Sequence, residues 1–387
     1  MKTIAIVTTT RAEYGLLSSV IYELRKKEDH DFRVELIVSG THLSKEYGMT
    51  IEEIKSAGTR IDHQIAISVK SEMPLDISNN QADALVQFTN LFLSERYDAV
   101  VLLGDRYEML AIAIAAGNTR TPIFHLCGGD TTEGALDEWI RHSITKISYL
   151  HFVTNEESRR RVIQLGEDPA RVFNYGSTSI DNILTVATMS KQEALESVGL
   201  KDCNYALCTY HPVTMEGGSV EKQIKSFLEA IRQFPNLQFV GTKSNADQGG
   251  ARINELLDCA EKTIDNLHVF TSLGIKRYLS LMRHAEFVLG NSSSGIIETP
   301  AFHIPTVNIG DRQKGRLQST SIVNCADDMA SIVNAIKTAM SEPHKTLCRT
   351  VVSPYGDGHA AERIAAKSFD TVMDGSIDLK KSFYNLN

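Results

Sequence analysis

Along the first half of the chain, short continuous apolar runs alternate with stretches in which apolar residues recur every three or four positions. "TIAIVTTT" reads as a strand, and in "GLLSSVIYELRKKE" Leu16, Leu17, Val20, Ile21 and Leu24 fall on one helical face. "RVELIVSG", "DAVVLLG", "TPIFHLC" and "YLHFVT" follow as strands, with helical periodicity between them. Uninterrupted Val, Ile and Leu runs belong to strands buried on both faces, and the strand–helix–strand rhythm makes those strands parallel.

The rhythm fades in the polar stretch "TVATMSKQEALESVGLKDCN" and restarts with "YALCTYHP", "LQFVGTK", "LHVFTS", "EFVLGNSSSG" and "PTVNIGD". The expectation is an α/β protein of two doubly wound Rossmann-like domains, residues 1–185 and 186–387, joined near 185–203. A ligand cleft between them, at the carboxyl ends of the strands, is the default for such sheets. "GHAAERIAAKSFDTVM" reads as a terminal helix that packs back on the N-terminal domain, and the tail after Gly375 reads as loosely held. The chain shows no internal repeat and no low-complexity tract.

Composition narrows the function more than the fold. With 387 residues, 42% hydrophobic and 23% charged, the chain has the balance of a globular protein with room for two cores. A formal net charge of −8 argues against a general nucleic-acid binder. It leaves an anionic small ligand open, because a few placed arginines bind phosphate within an acidic protein. The six cysteines are scattered without a C-x-x-C pair, the usage of free thiols in a reducing cytosol. The first apolar run is too short for a signal peptide, and no segment approaches the ~18 apolar residues of a membrane span. The expected location is the cytoplasm, away from membranes.

Neither G-x-G-x-x-G after the first strand nor G-x-x-x-x-G-K-[ST] is present, which disfavours a dinucleotide dehydrogenase and a P-loop NTPase. Other polar residues stand at the strand ends. "TTTRAEYG" puts Arg11 ahead of a helix start, where anions are favoured. "VLLGDRYEM" puts Asp105 and Arg106 after a strand, and "CTYHPVT" does the same for His211. "GTKSNADQGG" contributes Asn245. "GNSSSGIIET" opens a helix with Asn291, Ser292, Ser293, Ser294 and Gly295, a set of donors suited to phosphate, with Glu298 one turn on to accept from ribose hydroxyls. "NIGDRQKGR" adds Arg312 and Arg316.

Each of these has a plainer reading. The serines also suit helix capping, Asp105 and Arg106 also suit a local ion pair, and His125 inside its strand suits a satisfied core histidine. His142, beside Arg141, suits either a structural role or the orienting of a carboxylate. The weight comes from their placement, because structural accidents would scatter over both ends of the strands.

Taken in order, "TRAEYG", "GDRYEMLA", "GGDTTEGALDEWIRHSITK", "HPVT", "GNSSSGIIE" and "NIGDRQKGR" resemble the hydrolysing UDP-N-acetylglucosamine 2-epimerases of sialic acid biosynthesis, especially the bacterial branch that also serves legionaminic acid pathways. The resemblance runs from about Ile4 to Arg363. It implies a glycosyltransferase-B type fold, a cleft for a UDP-sugar, and a cytosolic homodimer or homotetramer. It also implies a reaction: anti elimination of UDP to a 2-acetamidoglycal, then syn addition of water to leave a free sugar inverted at C2. Asp105, Asp137 and His211 are carried over as catalytic positions. Arg11, Arg106, Asn245, Ser272, Ser292, Ser293, Glu298 and Arg312 are carried over as UDP contacts. No cofactor is expected and, with no H-x-x-x-H spacing, no metal.

The sequence departs from the family pattern at one place. Mammalian and non-hydrolysing epimerases carry a catalytic glutamate two residues after the strand histidine, where this chain has Cys127, and some bacterial members have histidine there. Asp130 and Asp137 are the stand-ins among carboxylates. Cys127 itself is either a thiolate base, acidified by arginine and a helix start, or a wall of the sugar pocket. The altered pocket leaves two substrates open: UDP-N-acetylglucosamine and its 4-acetamido-6-deoxy analogue. Outside this activity stand a glycosyltransferase on the same fold and an inactive UDP-sugar sensor.

Overall fold

A computed structural model describes residues 1–70, 73–132, 136–212, 220–244 and 250–386. Its strands are β1 (Lys2–Thr8), β2 (Phe32–Ser39), β3 (His63–Ile65), β4 (Ala99–Leu103), β5 (Ile123–Leu126), β6 (Leu150–Val153) and β7 (Val172–Asn174), then β8 (Tyr205–Thr209), β9 (Gln238–Thr242), β10 (Leu267–Phe270), β11 (Phe287–Gly290), β12 (Thr306–Ile309) and β13 (Ile322–Cys325). The first seven form one parallel sheet in the order β3-β2-β1-β4-β5-β6-β7. The other six form a second parallel sheet, β10-β9-β8-β11-β12-β13. The fold is thus two Rossmann-like α/β domains. In each, strand order reverses at one place, between β1 and β4 and between β8 and β11. In sheets of this kind, ligands bind at the carboxyl ends of the strands beside such a reversal.

Burial follows the pleat. Ile4, Ile6, Val34, Leu36, Ala99 and Val101 face Leu17, Val20 and Leu24 of the Arg11–Arg25 helix. The alternate positions Ala5, Val7, Val100 and Leu102 face Phe88, Phe92, Met109 and Ile112 on the opposite side. Strands buried on both faces are apolar throughout, which is why β1, β4 and β5 read so plainly. Three strands without a sequence expectation, β3, β7 and β13, are sheet edges and half-buried. An edge strand packs one flank only and needs no continuous apolar run.

The polar stretch near 185–203 is not an open linker. Ser190 caps the Lys191–Glu196 helix, accepting from Glu193 N–H at 3.3 Å. Ala194 and Leu195 are fully buried with Tyr205, Leu207 and Leu281. The chain divides into Met1–Asp181 with Gly358–Asn387 as one compact unit and Asn182–Asp357 as the other. Against a boundary expected at 185/186, the division falls after Asp181, and residues 358–387, which include the Ala360–Met373 helix and the tail after it, return to the first unit. Asp181 accepts from Ala361 N–H at 2.7 Å and Ala360 N–H at 3.2 Å, capping that helix. Phe369 meets Phe32 edge to face at 4.8 Å.

The tail is also fixed, contrary to its loose reading. Lys381 Nζ lies 2.6 Å from the buried Glu167 carboxylate and donates to Ser148 O at 2.7 Å. Tyr384 N–H donates to Gly166 O at 2.9 Å. Gly166 leaves room for the Phe383 ring, which a Cβ there would meet at 2.4 Å. Among the described residues, no helix is long and apolar enough to cross a membrane.

Candidate active site

In the first unit the polar residues gather just past β1, β4 and β5. Thr10 caps the Arg11–Arg25 helix, and Glu13 completes a capping box. Arg11 sits at the helix start and pairs with Glu53 at 3.0 Å, both half exposed; such a pair is weak and readily exchanged for a ligand. After β4, Asp105 and Arg106 do not pair with each other. Arg106 Nε donates to Glu108 at 2.6 Å, whereas Asp105 accepts from Nε of Arg141 at 2.9 Å and also from its Nη2.

Past β5 the backbone turns sharply. His125 is fully buried and its Nε2 lies 2.9 Å from Gly104 O. Burial pushes its ring down to about 3, so it is neutral and donates this bond, a satisfied core histidine. Cys127 adopts φ +62°, a left-handed backbone costing a non-glycine residue about 1–2 kcal/mol. It is half-buried. Its N–H donates to Phe152 O at 2.9 Å. Gly129 follows with φ +77°, and a Cβ there would lie 2.4 Å from Ser158 O. The turn aims Asp130 at β6, where its Oδ1 accepts from Thr154 at 2.8 Å and Ser158 at 2.6 Å.

The centre of this region is a residue that the motif reading left unassigned. Arg141, only 2% exposed, reaches Asp105, Asp130 O at 2.7 Å, Thr132 Oγ1 at 2.7 Å and Glu138 at 3.1 Å. Glu138 in turn accepts from Thr132 N–H at 2.6 Å and faces His142 Nε2 at 3.3 Å. Burial works to raise the Glu138 pKa, but the Thr132 N–H, His142 and Arg141 outweigh it and hold it low. His142 therefore orients a carboxylate. Asp137 is half-buried in the first turn of the same Leu136–Ile147 helix. The signal for this network was in the spacing: Glu138 stands three residues before Arg141 and four before His142, so all three share a helix face.

The second unit has its own gathering, built on Asn291. Gly290 takes φ +141°, and a Cβ there would lie 1.9 Å from Thr209 O, so only glycine lets the chain leave β11 against β8. Asn291 then clasps His211 from both sides, accepting from its N–H at 2.7 Å and donating to its O at 2.8 Å. His211 is buried with Nδ1 3.1 Å from Ser244 Oγ. Arg312 and Gln313 both donate to Asn291 O, at 3.1 and 2.9 Å. Ser292 and Ser293 are half-buried, and the helix they open, Ser294–Ile297, is a single turn. Glu298 is the unusual group here. Burial pushes its carboxyl up to about 7, and its Oε2 is buried with no hydrogen-bond partner among the described residues. Ser272 is apart, exposed after β10 with its Oγ accepting from Gly274 N–H at 3.2 Å. Asn245 lies outside the described residues. No group of three or more His, Cys, Asp or Glu is assembled to hold a metal among the described residues. A shallow depression of about 430 Å³ lies far from these groups, lined by Glu28, Phe32, Arg33 and Arg60 at the amino ends of the strands.

Two parallel sheets with ionisable and amide side chains at their switch points define a doubly wound α/β protein, the kind of sheet that binds ligands at its strand ends. The family model for UDP-N-acetylglucosamine 2-epimerase matches residues 24–367. The chain is 40% identical over 323 residues, 83% of each sequence, to a GDP/UDP-N,N'-diacetylbacillosamine 2-epimerase (hydrolyzing) of Campylobacter jejuni. It is 34% identical over 374 residues, 94% of each sequence, to a UDP-N,N'-diacetylbacillosamine 2-epimerase (hydrolyzing) of Legionella pneumophila. The fold is shared with a Methanocaldococcus jannaschii UDP-GlcNAc 2-epimerase solved in complex with UDP-GlcNAc and UDP, at a TM-score of 0.77 and 17% identity over 95% of this chain and 99% of that one. The chain belongs to the UDP-N-acetylglucosamine 2-epimerase family.

Proposed function

We propose that this protein is a hydrolysing 2-epimerase of a UDP-linked 2-acetamido sugar, with UDP-N,N'-diacetylbacillosamine as the substrate. The observation that carries the chemistry is the buried Arg141, which holds Asp105 and Glu138 together at the carboxyl ends of β4 and β5. The identity of the sugar rests on the two hydrolysing relatives at 40% and 34% identity. Cys127, in place of a carboxylate, is read as a pocket wall suited to that altered sugar.

In the proposed reaction a base removes the C2 proton, the C2–H pair forms the C1=C2 bond, and the C1–O pair leaves with UDP. Water then adds syn, its hydroxyl to C1 and a proton to C2 on one face of the glycal, so that C2 is protonated on the face opposite to the one that lost its proton. A C–H proton is weakly acidic, so the base must be positioned and the leaving group stabilised as it departs. Asp105 and Asp137 are the proposed acid and base, with His211 assisting departure of the pyrophosphate. Glu138 already accepts from several donors and is thereby a poor base; it serves by holding Arg141 and His142. Asp130, tied to two hydroxyls, is a strut of the turn. Arg11, Arg106, Asn245, Ser272, Ser292, Ser293 and Arg312 are proposed to meet UDP, and the unpartnered Glu298 oxygen to accept from ribose hydroxyls.

The glycosyltransferase-B assignment belongs to the same proposal, as does a cytoplasmic homo-oligomer, either dimer or tetramer. None of the six cysteines is in a disulfide, which supports a reducing compartment. Leu75, Val86 and Leu93 are exposed on the Pro74–Glu95 helix, apolar surface that a second copy would cover. The deciding experiment is incubation with UDP-N,N'-diacetylbacillosamine and, separately, UDP-N-acetylglucosamine in D2O, followed by NMR. Released UDP and a C2-deuterated, C2-inverted free sugar are expected from the first. Full protium at C2 would sink the elimination mechanism, and faster turnover of the second would overturn the choice of sugar.

A further inference from the structure

At the carboxyl ends of β1 and β4, two glutamates lie in the core without enough partners for two charges. Glu13 is 5% exposed and Glu108 2%. The Thr9 hydroxyl stands 2.9 Å from Glu13 Oε2 and 3.1 Å from Glu108 Oε1. A hydroxyl carries one hydrogen, so it cannot fully serve both carboxylates. Glu13 Oε2 also accepts from Thr9 N–H at 2.7 Å and Thr10 N–H at 3.1 Å, and Glu108 Oε1 accepts from Arg106 Nε at 2.6 Å. The remaining oxygens, Glu13 Oε1 and Glu108 Oε2, are buried with no hydrogen-bond partner among the described residues. With both ionised, one guanidinium would face two buried anions, an arrangement that a single bound proton relieves.

We propose that Glu13 and Glu108 form a one-proton carboxyl pair that positions the Arg106 guanidinium and sets the pH dependence of nucleotide affinity. The inference rests on the proposed contact of Arg106 with UDP. With Glu13 neutral, Glu108 alone grips Arg106 through Nε, and the outer N–H groups of the fork remain for a phosphate. When Glu13 gives its proton to water, a second buried anion competes for the same guanidinium and repels the pyrophosphate. No other bond changes. Burial first, and the Glu108 charge second, push the Glu13 carboxyl up to about 7, while Arg106 and the Thr9 N–H pull the other way. The other charged groups nearby do not supply the missing countercharge. Arg11 is turned to Glu53. His42, bonded to Thr8, is neutral because burial pushes it down to about 4. Tyr107 lies under the guanidinium at 5.6 Å.

The test is calorimetric titration of UDP into the full chain, Glu13→Gln and Glu108→Gln from about pH 6 to about pH 9, each variant first checked for folding by circular dichroism. UDP's own ionisation is common to all three and cancels in the comparison. The unsubstituted chain is expected to lose about tenfold more affinity over this range than Glu13→Gln, which keeps the neutral shape. Repeating the titration in buffers of different ionisation enthalpy should show proton uptake on binding above neutrality, absent in Glu13→Gln. Glu108→Gln should shift the loss to lower pH, because Glu13 then ionises without a neighbouring charge; it also carries the test if Glu13→Gln does not fold. The same pH dependence and proton uptake in all folded proteins would overturn the proposal. Failure of UDP to bind the unsubstituted chain at any pH would instead remove the UDP-sugar reading. The pair is then judged without ligand, by infrared difference spectra across neutral pH. A carboxylic-acid C=O band that titrates in the unsubstituted chain, vanishes in Glu13→Gln and titrates at lower pH in Glu108→Gln supports it, and its absence from the unsubstituted chain overturns it.

Discussion

The rims of the two sheets carry opposite kinds of polarity. Past β4 and β5, Asp105, Glu138 and Arg141 form a charged cluster whose members depend on one another. Past β8 and β11, the organising residue is a neutral amide, Asn291, that fixes His211, Arg312 and Gln313 through its own polar atoms and its carbonyl. The difference matches the division of roles proposed above. Moving protons needs ionisable groups whose charge states can change, and those require a buried countercharge to stay in place. Holding a nucleotide needs donors and acceptors that do not change, and neutral groups supply them without a desolvation penalty of that size.

The comparison is tested hardest at Asp137. Asp137→Asn is expected to lose about 10³–10⁴-fold in turnover while UDP affinity stays within about twofold. Single-turnover kinetics beside calorimetry separates the two, and a parallel fall in UDP affinity would place Asp137 with the nucleotide rather than the chemistry. Next comes Arg141→Met. Asp105 and Glu138 would be left without their buried partner, and the unit should lose about 3–5 kcal/mol of stability in denaturant unfolding. A loss below about 1 kcal/mol would show the cluster to be well solvated.

On the neutral rim the expected effects are smaller and fall on binding. His211→Ala and Arg312→Ala should each weaken UDP by about 1.5–3 kcal/mol in calorimetry; unchanged affinity in both would remove that rim from nucleotide recognition. Smallest of all is Cys127→Ser. As a pocket wall it should cost under about threefold in turnover, well below the roughly 10²–10⁴-fold of a lost acid or base. A hundredfold loss with UDP affinity intact, together with the disappearance of an ascending pH limb, would make Cys127 the base.

The legible part of the molecule was the part that buries both faces. β1, β4, β5, β8 and β11 announce themselves as short, largely apolar runs, and the polar residues after them stand at strand ends in the folded chain. What stayed hidden depends on long-range geometry. Edge strands β3, β7 and β13 are half-buried, so no local pattern marks them. Arg141 drew no assignment of its own because two of its partners, Asp105 and Asp130, lie 36 and 11 residues away. The Asp105–Arg106 dipeptide suggested a local pair, yet adjacent side chains leaving a strand end diverge, and each found a different partner. Glu13 and Glu108 were no easier to foresee, as 95 positions separate two residues that share one hydroxyl.

The return of residues 358–387 to the first unit also dictates an order of synthesis. Phe32 on β2 waits for Phe369, and the buried Glu167 waits for Lys381. A ribosome therefore delivers the whole second unit before the first can close its core, although the first was translated earlier. Until residues 358–387 emerge the nascent chain presents an unfinished apolar face, and a stop codon shortly before Ala360 would strand it that way.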